Sequence, residues 1–197
     1  MNSVRSFVAI PIPDTIKKSV QDWIEPFRRH DSSIRWVKPE GIHLTLKFLG
    51  NVEEERFEKE FFLEFTQLCT PFRPIRLVAD AVGQFPPRGT PRILWVGLSG
   101  RAGLAGDVDP LKTFAQSVEG FFERFGFPKE KRPFAPHVTI ARIKEKPSSG
   151  FLKKWHEVGL VSFGEFIADR IVFYKSELTK GGAVYSVIRE FHLGERR

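Results

Sequence analysis

His43-Leu44-Thr45-Leu46 and His137-Val138-Thr139-Ile140 are the two stretches from which the rest of this chain is best read. Successive side chains of a β-strand point to opposite faces, so each stretch, as a strand, sets a His and a Thr on one face and two aliphatic residues on the other. In a chain with 5 His, two chance matches to this pattern have a probability of roughly 0.001 or less. Half-buried strand residues chosen for β propensity account for one copy well and for two copies poorly.

Outward from the first stretch, Val4 to Ile10 alternates as a strand. Pro13-Asp14 then opens an amphipathic helix to about His30, with Ile16, Val20, Trp23, Ile24 and Phe27 on its apolar side and Pro26 bending or shortening the last turn. Ile34 to Val37 and Ile42 to Leu49 are strands separated by a Pro39-Glu40-Gly41 turn. Val52 to Leu68 is a helix with three glutamates in its first turn, and Phe72 to Phe85 is extended. The Pro- and Gly-rich segment Gln84 to Arg92 connects the halves. The order then repeats: strand Ile93 to Leu98, helix Leu104 to Phe125, strand Phe134 to Ile143 with the second His/Thr pair, helix Phe151 to Val158, strand Leu160 to Ala168. Arg170 to Leu178 and Ala183 to Leu193 close the chain as a hairpin over Thr179-Lys180-Gly181-Gly182. Each half therefore reads strand, helix, strand with His-x-Thr, helix, strand. That repetition implies a duplicated βαβαβ-like unit with pseudo-twofold symmetry.

At 197 residues the chain is long enough for one sizeable domain or two intimately packed lobes. A hydrophobic content of 41% with 20 Phe excludes a disordered chain, and most of that Phe belongs in a core. The net charge of +7 favours polyanionic partners, although dispersed basic clusters such as Lys129 to Arg132 and Arg196-Arg197 are ordinary solvated faces. Cys69 is the only cysteine, so neither an intrachain disulfide nor a Cys-based metal cage can form, which fits a reducing cytoplasm. The stretch Val4 to Ile12 is too short and too interrupted for a signal peptide or a spanning helix, and no membrane association is expected.

An imidazole with an ordinary pKa of about 6.5 can be neutral or charged at physiological pH, so two of them can serve as base and acid in an in-line displacement at phosphorus. Threonine hydroxyls two residues on can donate hydrogen bonds to the non-bridging oxygens. Two His without Asp, Glu or Cys at ligand spacing make a poor metal site, so neither metal nor other cofactor is expected. By period two, Arg142 should point away from His137 and Thr139 unless the strand ends or bulges there. Phe7, Phe48, Trp95 and Phe134 are candidates for stacking a base, and Arg92 for a basic contact. His30, His156 and His192 have no partner at useful spacing and read as structural or surface residues.

At these residues the chain resembles the two-histidine (2H) phosphoesterase superfamily, and within it the RNA 2′,3′-cyclic phosphodiesterases formerly described as 2′-5′ RNA ligases. Arg5-Ser6-Phe7-Val8-Ala9-Ile10, Arg35-Trp36-Val37, His43 to Gly50, Pro91 to Trp95, Arg132 to Arg142 and Tyr174 to Leu178 carry the resemblance. It implies an α+β, bilobal fold in one domain spanning 1–197, its pseudo-symmetric lobes at about 1–85 and 92–197, with largely antiparallel sheets around a central cleft. It also implies metal-independent opening of a 2′,3′-cyclic phosphate on RNA or a nucleotide to a 2′-phosphate, with His43 as proton donor, His137 as proton acceptor, and Thr45, Thr139 and Arg142 on the phosphate. The alternatives are 2′-5′ ligation, the reverse chemistry of the same pair, and a non-catalytic RNA-binding groove. A monomer is expected, because one chain completes the cleft.

Overall fold

The computed structural model describes residues 2–29, 31, 33–100, 109–180 and 182–194. His30, the start of the expected helix at 104–108, Gly181 of the hairpin turn and the Arg196-Arg197 pair lie outside the described residues. The strands are β1 (Ser3–Pro11), β2 (Ile34–Trp36), β3 (His43–Glu53), β4 (Ile75–Phe85), β5 (Ile93–Gly100), β6 (His137–Ile143), β7 (Ser162–Ala168), β8 (Arg170–Thr179) and β9 (Gly182–His192). The helices are α1 (Asp14–Arg28), α2 (Glu54–Arg56), α3 (Phe62–Cys69), α4 (Pro110–Arg124) and α5 (Ser149–His156), with a π-helical turn at Phe57–Phe61 joining α2 to α3.

All nine strands belong to one antiparallel sheet in the order β7-β4-β5-β6-β3-β1-β8-β9, with β2 pairing β6 off that path. The two His-x-Thr strands, β6 and β3, are thus central and adjacent. Strands from each of the sequence halves 1–85 and 92–197 serve both sides of the sheet: β4 joins β5 and β7, while β8 joins β1. The helices cross over in the same way. Trp23 and Phe27 of α1 pack on Trp155 and Phe151 of α5, with ring centroids 5.9 and 6.1 Å apart. Phe122 of α4 packs on Phe61 beside α3 and on Phe173 of β8, at 5.7 and 5.9 Å. Most of the 20 Phe are buried, as their number required.

Local chemistry explains where the elements stop. β3 runs to Glu53, past the expected start of a helix, because Asn51, Val52 and Glu53 still find partners in Arg5, Val4 and Ser3. The helix then begins at Glu54, whose N–H donates to the Asn2 carbonyl at 3.0 Å. Asp109 accepts from the Leu111 and Lys112 amides at the start of α4, and Ser148 accepts from Phe151 at the start of α5.

Two irregularities position the site. Ala9 pairs with Thr45 but its neighbour Val8 pairs with Lys47, which leaves Leu46 as an extra residue on β3. Trp95 pairs with Thr139 and Leu94 with Ala141, which leaves Ile140 extra on β6. Each His-x-Thr is therefore followed at once by a β-bulge, and a bulge shifts the phase of every later residue by one. The burial agrees: Leu46 and Lys47 are both buried, as are Ile140 and Ala141. Phe48 and Arg142 thereby fall on the face that holds the His and Thr residues, and both are exposed.

The first bulge also drives a lysine inward. Lys47 is 2% exposed, its ammonium held by the Glu119 carboxylate of α4 and by the Pro128 carbonyl at 2.6 Å. Glu119 in turn accepts from the Glu130 amide at 2.8 Å. The strand carrying His43 is thus tied to the loop that leads to His137. Removing one member of such a pair strands the other, so Lys47→Ala is expected to cost about 3–5 kcal/mol in urea denaturation. The double change Lys47→Met with Glu119→Leu should recover most of that loss.

Candidate active site

β3 and β6 meet at Leu44 and Val138, near the start of both strands. Both side chains are 1% exposed and point into the core. An antiparallel register through that pair sets His43 opposite Thr139 and Thr45 opposite His137, on the other face. Directly opposed residues place their Cβ atoms about 4.5–5.5 Å apart. The four residues therefore form a two-by-two patch in which each imidazole has a hydroxyl across from it and another two residues along. All four are partly accessible.

The two imidazoles have different surroundings. Phe7 stacks on His43 with centroids 4.7 Å apart and planes at 29°. Tyr185 meets His43 edge-on at 5.1 Å, and Tyr174 lies at 6.1 Å. The chain has 2 Tyr, and both stand around this one ring. A ring N–H of His43 is held by the Gly41 backbone carbonyl. Burial pushes the His43 pKa down to about 4, against the Gly41 hydrogen bond, and the charges of Arg142 and Lys17 push in the same direction as burial.

His137 lies among Phe85 and Trp95, with centroids 5.1 and 6.4 Å away. Its Nδ1 is 2.7 Å from the Ala135 carbonyl oxygen. A carbonyl can only accept, so Nδ1 carries a proton and the neutral ring keeps its lone pair on Nε2. Gly83 makes room for Trp95: a Cβ there would stand 2.2 Å from the indole.

The remaining candidates divide. Arg142, turned inward by the bulge at Ile140, is close enough for its charge to act on His43. Phe48, 57% exposed and 6.0 Å from Phe7, offers an open aromatic face. Phe7 itself is 2% exposed, so its ring supports His43 and offers no open face to a base. Phe134 is half-buried against the core in the loop before β6. Trp95 is half-buried beside His137. Arg92 donates to the Lys144 carbonyl at 2.8 Å, beyond the far end of β6. His156 and His192 are exposed and far along other elements. Reading by residue type missed Tyr174, Tyr185 and Phe85, and the scarcity of Tyr was the signal for the first two.

A sheet whose two central strands each bring a His-x-Thr to one shared face is the architecture of the two-histidine phosphoesterases. Within that class, the family model described as LigT-like phosphoesterase matches residues 10–95 and 105–185, and the chain belongs to that family. The RNA 2′,3′-cyclic phosphodiesterase of Methanocaldococcus jannaschii is 33% identical over 192 residues, 95% of this chain and 100% of that one. That of Aquifex aeolicus is 33% identical over 201 residues, 98% and 100% of the two chains. Among solved structures, TT0787 of Thermus thermophilus superposes with a TM-score of 0.75 at 27% identity, over 98% of this chain and 100% of its own. E. coli LigT complexed with 3′-AMP shares the fold at a TM-score of 0.71 and 23% identity, over 98% and 100%.

The environment of His43 has a consequence for stability. Its folded pKa of about 4 lies below the unfolded value near 6.5, so between these limits the unfolded chain binds the extra proton. The contribution is full above pH 6.5 and is lost as pH falls towards 4, amounting to about 3 kcal/mol. Urea denaturation at pH 7 and pH 4 should show His43→Gln losing that much less than the native sequence.

Proposed function

We propose that this chain hydrolyses the 2′,3′-cyclic phosphate at an RNA or nucleotide terminus to a 2′-phosphomonoester, using His43 and His137 as acid and base without a metal ion. The observation that carries this reading is the register through Leu44 and Val138, which opposes each imidazole to a threonine hydroxyl on one face. The donors gathered around the two rings are hydroxyls and a guanidinium, and the other neighbours are aromatic rings with no oxygen to offer a metal, a set that suits a phosphodiester anion better than a divalent cation. The relatives named RNA 2′,3′-cyclic phosphodiesterase point to the same bond.

In the reaction a water molecule gives its proton to Nε2 of His137 as its oxygen attacks phosphorus. The bond from phosphorus to the 3′ oxygen breaks, and His43 delivers a proton to that departing oxygen. The phosphate remains on the 2′ oxygen. Thr45 and Thr139 donate to the non-bridging oxygens, whose charge grows towards the transition state. Exchange of one proton through solvent returns the imidazoles to their starting states.

Burial keeps His43 neutral in the free protein at pH 7, whereas the acid must be charged. The phosphodiester brings a negative charge within hydrogen-bond range, and an opposite charge that close favours the imidazolium. The proton therefore arrives with the substrate. Calorimetric titration of 2′-AMP at pH 7, in buffers of differing ionisation enthalpy, should show uptake of up to about one proton more than His43→Gln takes up.

The activity itself is tested with a 2′,3′-cyclic-phosphate-terminated oligoribonucleotide in EDTA, the product resolved by phosphorus NMR. A 2′-phosphate is expected, with His43→Ala and His137→Ala each slowing turnover by about 10²–10⁴-fold while circular dichroism stays unchanged. Full activity in either variant overturns the assignment. Binding indifferent to the end group, without turnover, would favour a non-catalytic RNA-binding groove.

A further inference from the structure

Arg35 takes no part in the two-by-two patch, yet the fold brings it alongside. β2 pairs β6 through Ile34 with Ile143, Arg35 with Arg142 and Trp36 with Ala141. Ile34 and Ile143 are buried, which turns the two arginines to the opposite face, the one exposed beside the histidines. Along β6 the cross-strand rungs on that face therefore run Thr45 with His137, His43 with Thr139, and Arg35 with Arg142. Like charges directly opposed across a ladder destabilise it. Among the described residues neither guanidinium has an ion pair, a hydrogen bond or a ring contact, although Glu40 and Glu145 lie on neighbouring turns. Among the described residues β2 has no counterpart along β3, so this third rung breaks the pseudo-twofold symmetry of the site.

Two unpaired guanidiniums held side by side form a seat for an anionic oxygen group. The scissile phosphate belongs between the first two rungs, where both imidazoles reach it. On the proposed reaction the ribose lies towards His43, the group that protonates its departing 3′ oxygen, and β2 continues the line of β3 along that same flank of β6. The next negative charge of an RNA chain lies on the 5′ side of that ribose. From this placement, and resting on the proposed function, we infer that Arg35 binds the phosphate 5′ to the terminal nucleoside, with Arg142, which the resemblance sets on the scissile phosphate, reaching both from the rung between them, so that Arg35 makes the enzyme prefer a 5′-phosphorylated or oligomeric substrate to a bare nucleoside cyclic phosphate.

The test compares kcat/KM for adenosine 2′,3′-cyclic phosphate with and without a 5′-phosphate. The native chain is expected to favour the 5′-phosphorylated substrate by about tenfold or more. Arg35→Ala should bring the ratio to within about twofold of one, and Arg35→Lys, which keeps the charge but loses the fork, should restore part of it. A native ratio of one overturns the inference, as does an Arg35→Ala variant that slows both substrates by the same factor. If neither substrate is hydrolysed by the native chain, the proposed activity has failed and the subsite is still decided by binding. Adenosine 2′,5′-bisphosphate should then bind about tenfold tighter than 2′-AMP to the native chain and equally to Arg35→Ala, and equal binding to the native chain overturns the subsite.

Discussion

The whole site depends on one rung of backbone pairing between β3 and β6, at Leu44 and Val138. The two strands run in opposite directions and overlap only near their first residues. Beyond that overlap they diverge, β6 to take up β2 and β3 to continue along β1. Because the side-chain period of a strand is two, one rung is enough to align four polar groups on one face and bury two aliphatic residues on the other. A slip of a single residue in either strand would send that strand's His and Thr into the core and part the two pairs. Leu44 and Val138, both buried in the core, make that slip costly.

The paired strands alone would give a symmetric patch with no means of telling one end of a substrate from the other. The residues beyond the two bulges supply the difference. At matching positions the first motif presents Phe48 and the second presents Arg142, and only the second is extended by β2. The residues behind the bulges differ as well, Ala141 being neutral where Lys47 needs the Glu119 carboxylate. The surroundings of the imidazoles continue the theme, with His43 pressed among Phe7 and the two tyrosines and His137 fixed by Ala135 beside Phe85. Duplication provides two copies of an ionisable group, and unequal packing gives them different surroundings.

Most elements were legible in the sequence because each has a strong local signal: alternation for β1, β3 and β6, a 3.6-residue apolar stripe for α1 and α4, a Gly-rich turn for the final hairpin. The His and Thr residues were legible for the same reason, since a two-residue period says which side chains share a face. The bulges were not. An extra strand residue leaves no local mark, and Lys47 reads as an ordinary surface cation until the shift at Leu46 buries it. The direction of Arg142 turned on the same hidden event. The placement of β8 beside β1, which brings Tyr174 and Tyr185 to His43, rests on pairing between residues far apart in sequence, and no local pattern encodes it.

That placement also governs the order in which the molecule can assemble. β1 is sandwiched between β3 and β8, so the strand at the start of the chain stays open along one edge until residues 170–179 exist to cover it. During synthesis the edge, with Phe7 and Val8 along it, remains available for wrong partners until β8 has emerged, and such edges are sites of aggregation. The ring that presses on His43 is therefore enclosed by a strand made long after it, and the imidazole acquires its altered basicity only once that strand has docked.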